Sequence, residues 1–190
     1  LILLAPAELR WAAIIYVVST VALFGISATY HRGTWGPRTH GVLKRMDHAT
    51  IFIFIAGTYT PIALTVVGGT AGTVLLWIVW LAALAGVIFR VFWVGAPRWL
   101  IVPVYISMGW AAVFFIPEIL SNGGTAIFLL IAVGGLCYSV GAVIYGLKRP
   151  DPSPKWFGFH EIFHSFTLGG YVSHYVGICL AIFGVGVIAH

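Results

Sequence analysis

The chain has 190 residues, 61% of them hydrophobic and 8% charged. A water-soluble domain carries roughly 25% charged residues, so the soluble globular and disordered classes are excluded. The net charge of +5 rests on ten basic and five acidic residues, too few to build the basic face of a nucleic-acid binder. Cys137 and Cys179 both lie in apolar runs and cannot make a disulfide framework.

A membrane-spanning helix needs about 20 mostly apolar residues. Six runs meet this, at 11–30, 49–67, 71–89, 100–116, 125–147 and 159–189. None alternates in the manner of a barrel strand, so an all-α fold is expected. The opening Leu1-Ile2-Leu3-Leu4 has no basic leader and no cleavage site, and does not read as a signal peptide. It reads as the tail of an earlier apolar segment. The expectation is a seven-helix bundle whose first helix is mostly missing, with residues 1–190 forming one transmembrane domain. Gly68-Gly69-Thr70, Ser121-Asn122-Gly123-Gly124 and Pro150-Asp151-Pro152-Ser153-Pro154 are turn clusters between spans.

Charge sets the expected orientation. Arg32, Arg38, Lys44 and Arg45 follow the first run, Arg90 and Arg98 the third, and Lys148, Arg149 and Lys155 the fifth. Nine of the ten basic residues thus share one side of the membrane, and only Arg10 falls on the other. By the positive-inside rule the crowded side is cytoplasmic. The chain end at His190 is then expected outside.

Ionisable residues in or beside a span are functional candidates because the membrane tolerates few. His31 ends the first run. Asp47 and His48 precede the second. His160, Glu161 and His164 open the sixth. All fall at the crowded side. His160 and His164 are spaced i, i+4 and share one helix face, with about 6 Å between Cβ atoms. Together with His31 they would make a three-His set with an open fourth position, the pattern of a catalytic zinc. Asp47 is then placed to orient or deprotonate a water. Ser27, one turn before His31, is a hydrogen-bond partner or substrate contact.

Each residue also has an ordinary reading. His31 and His48 can be interfacial. Asp47 can cap a helix N-terminus. Ser27 can bond the carbonyl four residues back. The His pair can be coincidence. His160-Glu161-Ile162-Phe163-His164 matches the H-E-x-x-H helix of zinc proteases, with Glu161 as base, but that leaves His31 and Asp47 unexplained. His174, about 15 Å beyond His164, is too distant for the same ion and is either a satisfied core histidine or the lining of a polar cavity. Pro61 predicts a packing kink, with Thr and neighbouring helices satisfying the carbonyl it frees. Trp35, Trp93, Trp99 and Trp156 fit an interfacial belt.

The sequence resembles the hemolysin III family, the bacterial branch of the progestin and adiponectin receptor (PAQR) family. The matching pieces are Ser27-Ala28-Thr29-Tyr30-His31, Arg45-Met46-Asp47-His48, Ala56-Gly57-Thr58-Tyr59-Thr60-Pro61, Phe159-His160-Glu161-Ile162-Phe163-His164 and Ser173-His174-Tyr175. The resemblance covers nearly the whole chain. It implies a seven-helix bundle in the bacterial inner membrane, with the N-terminus inside. It implies Zn²⁺ on His31, His160 and His164, with Asp47 and Ser27 completing the site on the cytoplasmic side. It also implies hydrolysis of a lipid amide or ester, with membrane lipids as partners. Relatives often carry Gln at the position of Glu161, which speaks against Glu161 as an obligatory base. The alternative it leaves open is a channel or pore-forming hemolysin, or a regulator of membrane lipid homeostasis, with a structural zinc.

Overall fold

A computed structural model describes residues 1–188; the expected position of His190 lies outside the described residues. A short 3-10 turn, Ala7–Leu9, leads into α1 (Arg10–Arg32). Then come α2 (Pro37–Ile62), α3 (Gly69–Phe92), α4 (Arg98–Gly109), the single turn α5 (Ile116–Glu118), α6 (Gly124–Leu147) and α7 (Phe159–Ile188). Among the described residues there is no strand.

Five stretches are long and apolar enough to cross a membrane: Ala7–Arg32, Pro37–Val67, Gly69–Phe92, Arg98–Leu147 and Phe159–Gly184. The fourth is 50 residues long and folds back on itself. Arg98 Nη1 donates to the Tyr145 carbonyl at 3.2 Å, and Trp110 Nε1 donates to Ser139 Oγ at 2.8 Å. α4 and α6 therefore run antiparallel, and each of the six apolar runs occupies its own leg of the bundle. The outward faces carry Val18 and Val21, Trp77, Leu81 and Leu84, and Leu129 and Leu136, all exposed. Water would penalise such contiguous apolar surface, and lipid does not. The chain is an all-α membrane helical bundle.

α2 is the exception to this outward apolarity. Of its most apolar window 72% is buried, against 17–33% in the other four stretches. It packs against α1, α3, α4 and α7 and forms the axis of the bundle. Small residues make this possible. A Cβ on Gly57 would stand 2.8 Å from Ser19 Cβ, so only glycine lets α1 and α2 approach this closely. Thr58 and Thr60 spend their hydroxyls on the Phe54 and Ala56 carbonyls at 2.8 and 2.9 Å, hiding their polarity inside the helix. Trp80 of α3 then donates to Thr60 Oγ1 at 3.1 Å.

Two local expectations need revision, the start of the second helix and the continuity of the fourth run. The second helix begins at Pro37, twelve residues before the apolar run. Proline suits a first helical position, and Lys44, Arg45 and Met46 are good helix formers whether or not they are apolar. Asp47 therefore sits inside α2 and caps nothing. At its far end α2 runs through Pro61 and widens into a π-helical turn, Ala63–Val67, whose Val66 carbonyl accepts from Asn122 Nδ2 at 2.9 Å. The fourth run is not one continuous helix. It breaks after Gly109 into a 3-10 segment, Ala111–Phe115.

That break is held by a hydroxyl from α2. Tyr59 donates to the Gly109 carbonyl at 2.6 Å and accepts from the Ala112 N–H at 3.0 Å. In hydrocarbon both backbone groups would otherwise go unpaired, since no water can replace the partner. Tyr59→Phe is expected to destabilise the protein by about 2–3 kcal/mol. Thermal unfolding in detergent checks this, and an unchanged midpoint would show that the splice contributes nothing.

Candidate metal centre

The crowded-charge end of the bundle brings together the C-terminal ends of α1, α3 and α6, the first half of α2 and the starts of α4 and α7. The start of α7 is fixed by two carboxylates. Asp151 Oδ1 accepts from the Phe159 N–H at 3.0 Å, and Glu161 Oε2 accepts from the Gly158 N–H at 2.9 Å. These are the orphan donors every helix leaves at its N-terminus. Glu161 is exposed and turned back along its own helix. It does not line the cavity described below, so it is poorly placed for the base role of the H-E-x-x-H reading.

One turn inside, His160 Nε2 and His164 Nε2 stand 3.1 Å apart. The His31 ring lies 5.0 Å from that of His160 and 5.7 Å from that of His164, centroid to centroid. One nitrogen from each of His31, His160 and His164 falls within 4.8 Å of the others. Tetrahedral zinc with Zn–N bonds of about 2.05 Å holds its ligand nitrogens about 3.3 Å apart, so the observed edge fits. The chemistry of the donors fits as well. Two neutral ring nitrogens aimed at each other either share a proton or share a cation. The group can hold a metal ion, and its residues come from helices more than 120 positions apart in sequence.

Behind the cluster runs a cavity of about 480 Å³, within the usual range for a small-molecule site. Ser27 and Asp47 line it beside the three histidines. Asp47 stands outside the three-His group itself, on the α2 wall. His48 lines the cavity too, but its Nδ1–H is committed to the Lys44 carbonyl at 2.6 Å. Much of the remaining wall is apolar, with Phe54, Ile51, Ile55 and Ile106 among it.

The cavity extends inward to His174. That ring lines the cavity, and as a core histidine it is only half satisfied. Nε2–H donates to the Ile131 carbonyl at 3.0 Å, while Nδ1 is sealed from solvent without a partner. Gly134 makes the room, since any Cβ there would collide with the His174 ring.

The sequence reading overlooked several cavity residues. Tyr145 of α6 lies with its ring 6.0 Å from His160, and the Arg98 guanidinium stacks over Tyr145 at 4.4 Å. Tyr105 donates to the His48 carbonyl at 3.1 Å. Tyrosines in apolar runs give no signal of direction, and a lone Arg at a span end reads as topology. Arg90 did carry a signal, as an ionisable residue in the last turn of a span, but it was counted only as a loop charge.

A multi-helix membrane bundle with a three-His group at one end of an internal cavity is the class these observations define. The chain belongs to the family described as Haemolysin-III related, which it matches over residues 2–175. It is similar to the "Hemolysin-3 homolog" of Bacillus subtilis (strain 168), 37% identical over 156 residues, covering 82% of this chain and 70% of the relative. The "Hemolysin-3" of Bacillus cereus is 34% identical over 156 residues, covering 82% and 68%. The similarity reaches the "Monocyte to macrophage differentiation factor" of Homo sapiens, 25% identical over 171 residues, covering 86% of this chain and 67% of that protein. The expected family membership is borne out.

The geometry makes a direct prediction about metal. Purified protein should carry about one metal ion per chain by elemental mass spectrometry, and His31→Ala or His160→Ala should lose it. Glu161→Gln should retain it. Loss of metal in the Glu161 variant, or retention in the His160 variant, would mean that a different group holds the ion.

Proposed function

We propose that this protein is a zinc-dependent integral membrane hydrolase acting on a lipid amide or ester, with its metal site on the cytoplasmic side. The observation that carries the reading is convergence: the three imidazoles, the Asp47 carboxylate and the Ser27 hydroxyl, from three helices, line the same largely apolar cavity. His31, His160 and His164 would hold the ion. When bound, it supplies Lewis acidity toward a carbonyl oxygen and acidifies a water.

The protein's own residues account for the rest. Asp47 accepts a proton from the water as its oxygen adds to the carbonyl carbon. It returns that proton to the leaving nitrogen or oxygen as the C–N or C–O bond breaks. Ser27 donates a hydrogen bond to a polar group of the substrate. The apolar walls take the acyl chain and exclude bulk water. The cytoplasmic assignment rests on the nine basic residues that share this end of the bundle.

The second reading, a non-enzymatic pore or a regulator of membrane lipid state with a structural zinc, draws on the names of the Bacillus relatives. The two readings differ in what Asp47 does. On the hydrolase reading, Asp47→Asn lowers kcat against a lipid-amide panel by about 10²–10⁴-fold, with metal content and KM little changed. Steady-state product analysis measures this. Absence of turnover in metal-loaded wild type across amides and esters would defeat the hydrolase reading. Single-channel conductance from purified protein in planar bilayers would then support the pore.

A further inference from the structure

Arg90 lies in the last turn of α3 and is only 3% exposed. Its Nε is sealed from solvent and has no acceptor. Its side chain lines the cavity, and no ion pair reaches it among the described residues. A buried guanidinium without an anion is costly, and proteins pair such charges almost without exception. Its surroundings add to the imbalance. Lys44 and Arg98 line the same cavity, while Asp47 is the one carboxylate among the described lining residues. The lining thus holds three side-chain cations besides its histidines and one carboxylate, which suits it to an anionic ligand.

The depth of Arg90 narrows the choice of ligand. Trp93, three residues on, is half-exposed, and Trp99 is exposed just across the connection to α4. Exposed tryptophans of this kind sit at the headgroup level of a bilayer, where lipid phosphates lie. The apolar walls at Ile51, Ile55 and Ile106 continue inward from that level. We propose that Arg90 is the receptor for the phosphate oxyanion of a phospholipid whose acyl chain occupies the apolar part of the cavity. The planar guanidinium offers paired N–H donors that match a phosphate, and Lys44 and Arg98 add positive charge to the same cavity. This inference concerns binding and stands without any metal or turnover.

The test is native mass spectrometry of the purified full-length protein, titrated with dipalmitoyl phosphatidylglycerol, dipalmitoylglycerol and sodium phosphate. Phosphatidylglycerol should bind about tenfold or more tightly than the uncharged diacylglycerol. R90Q should erase that preference and R90K should keep part of it. Repeating the titration in H160A removes any contribution of a metal to anion binding. Equal binding of the diacylglycerol to wild type would overturn the proposal, and that comparison holds even where R90Q does not fold. An undiminished preference in a folded R90Q would overturn it too. Competition by inorganic phosphate at the concentration at which the lipid binds would overturn the lipid assignment in favour of free phosphate.

Discussion

The placement of α2 in the middle of the bundle is the constraint on which the rest of the structure depends. A helix surrounded by others in hydrocarbon cannot present polar groups to water, so each must be absorbed locally. α2 does this with back-bonded threonines, with Gly57 against Ser19, and with the Tyr59 hydroxyl that closes the break in α4. Because α2 touches α1, α3, α4 and α7, its position sets theirs. The separation between Asp47 and the histidines follows from that packing.

The two ends of the bundle are built differently. At the end away from the histidines, the connections are the short glycine turns at Gly68 and Gly124, both with positive φ, and Asn122 ties one turn to the end of α2. At the histidine end, α3 and α4 are joined by residues 93–97 and α6 and α7 by residues 148–158. The carboxylates of Asp151 and Glu161 order the second of these connections around the first turn of α7. That fixation holds His160 and His164 in place before any ion arrives, which favours binding by sparing the cost of ordering the ligands.

The cavity joins two unlike tasks. Its walls are apolar enough to accept a hydrocarbon chain, yet its rim concentrates histidine, carboxylate and guanidinium. Such groups are expensive near hydrocarbon and persist where they pair with each other or with a ligand. His164 and His160 pair through their ring nitrogens, and Arg98 pairs with Tyr145. The Nε of Arg90, the Tyr138 hydroxyl and the Nδ1 of His174 are left without partners among the described residues.

Much of this was legible in the sequence. Six apolar runs, short glycine turns and one-sided basic charge specify an all-helical membrane bundle, because spanning length and loop charge are local properties of the chain. The i, i+4 pair of His160 and His164 was readable for the same reason: helical periodicity fixes that face. The addition of His31 rested on its shared depth, and only the fold supplies the ring distances of 5.0 and 5.7 Å that group it with the other two. The start of α2 at Pro37 and the break after Gly109 were not legible, since helix bounds follow backbone pairing and tertiary partners such as Tyr59, while apolarity marks only the part inside the lipid. The burial of Arg90 was likewise decided by packing alone. A basic residue at a span end looks the same in sequence whether it snorkels to water or faces inward, and only the helices around it determine which.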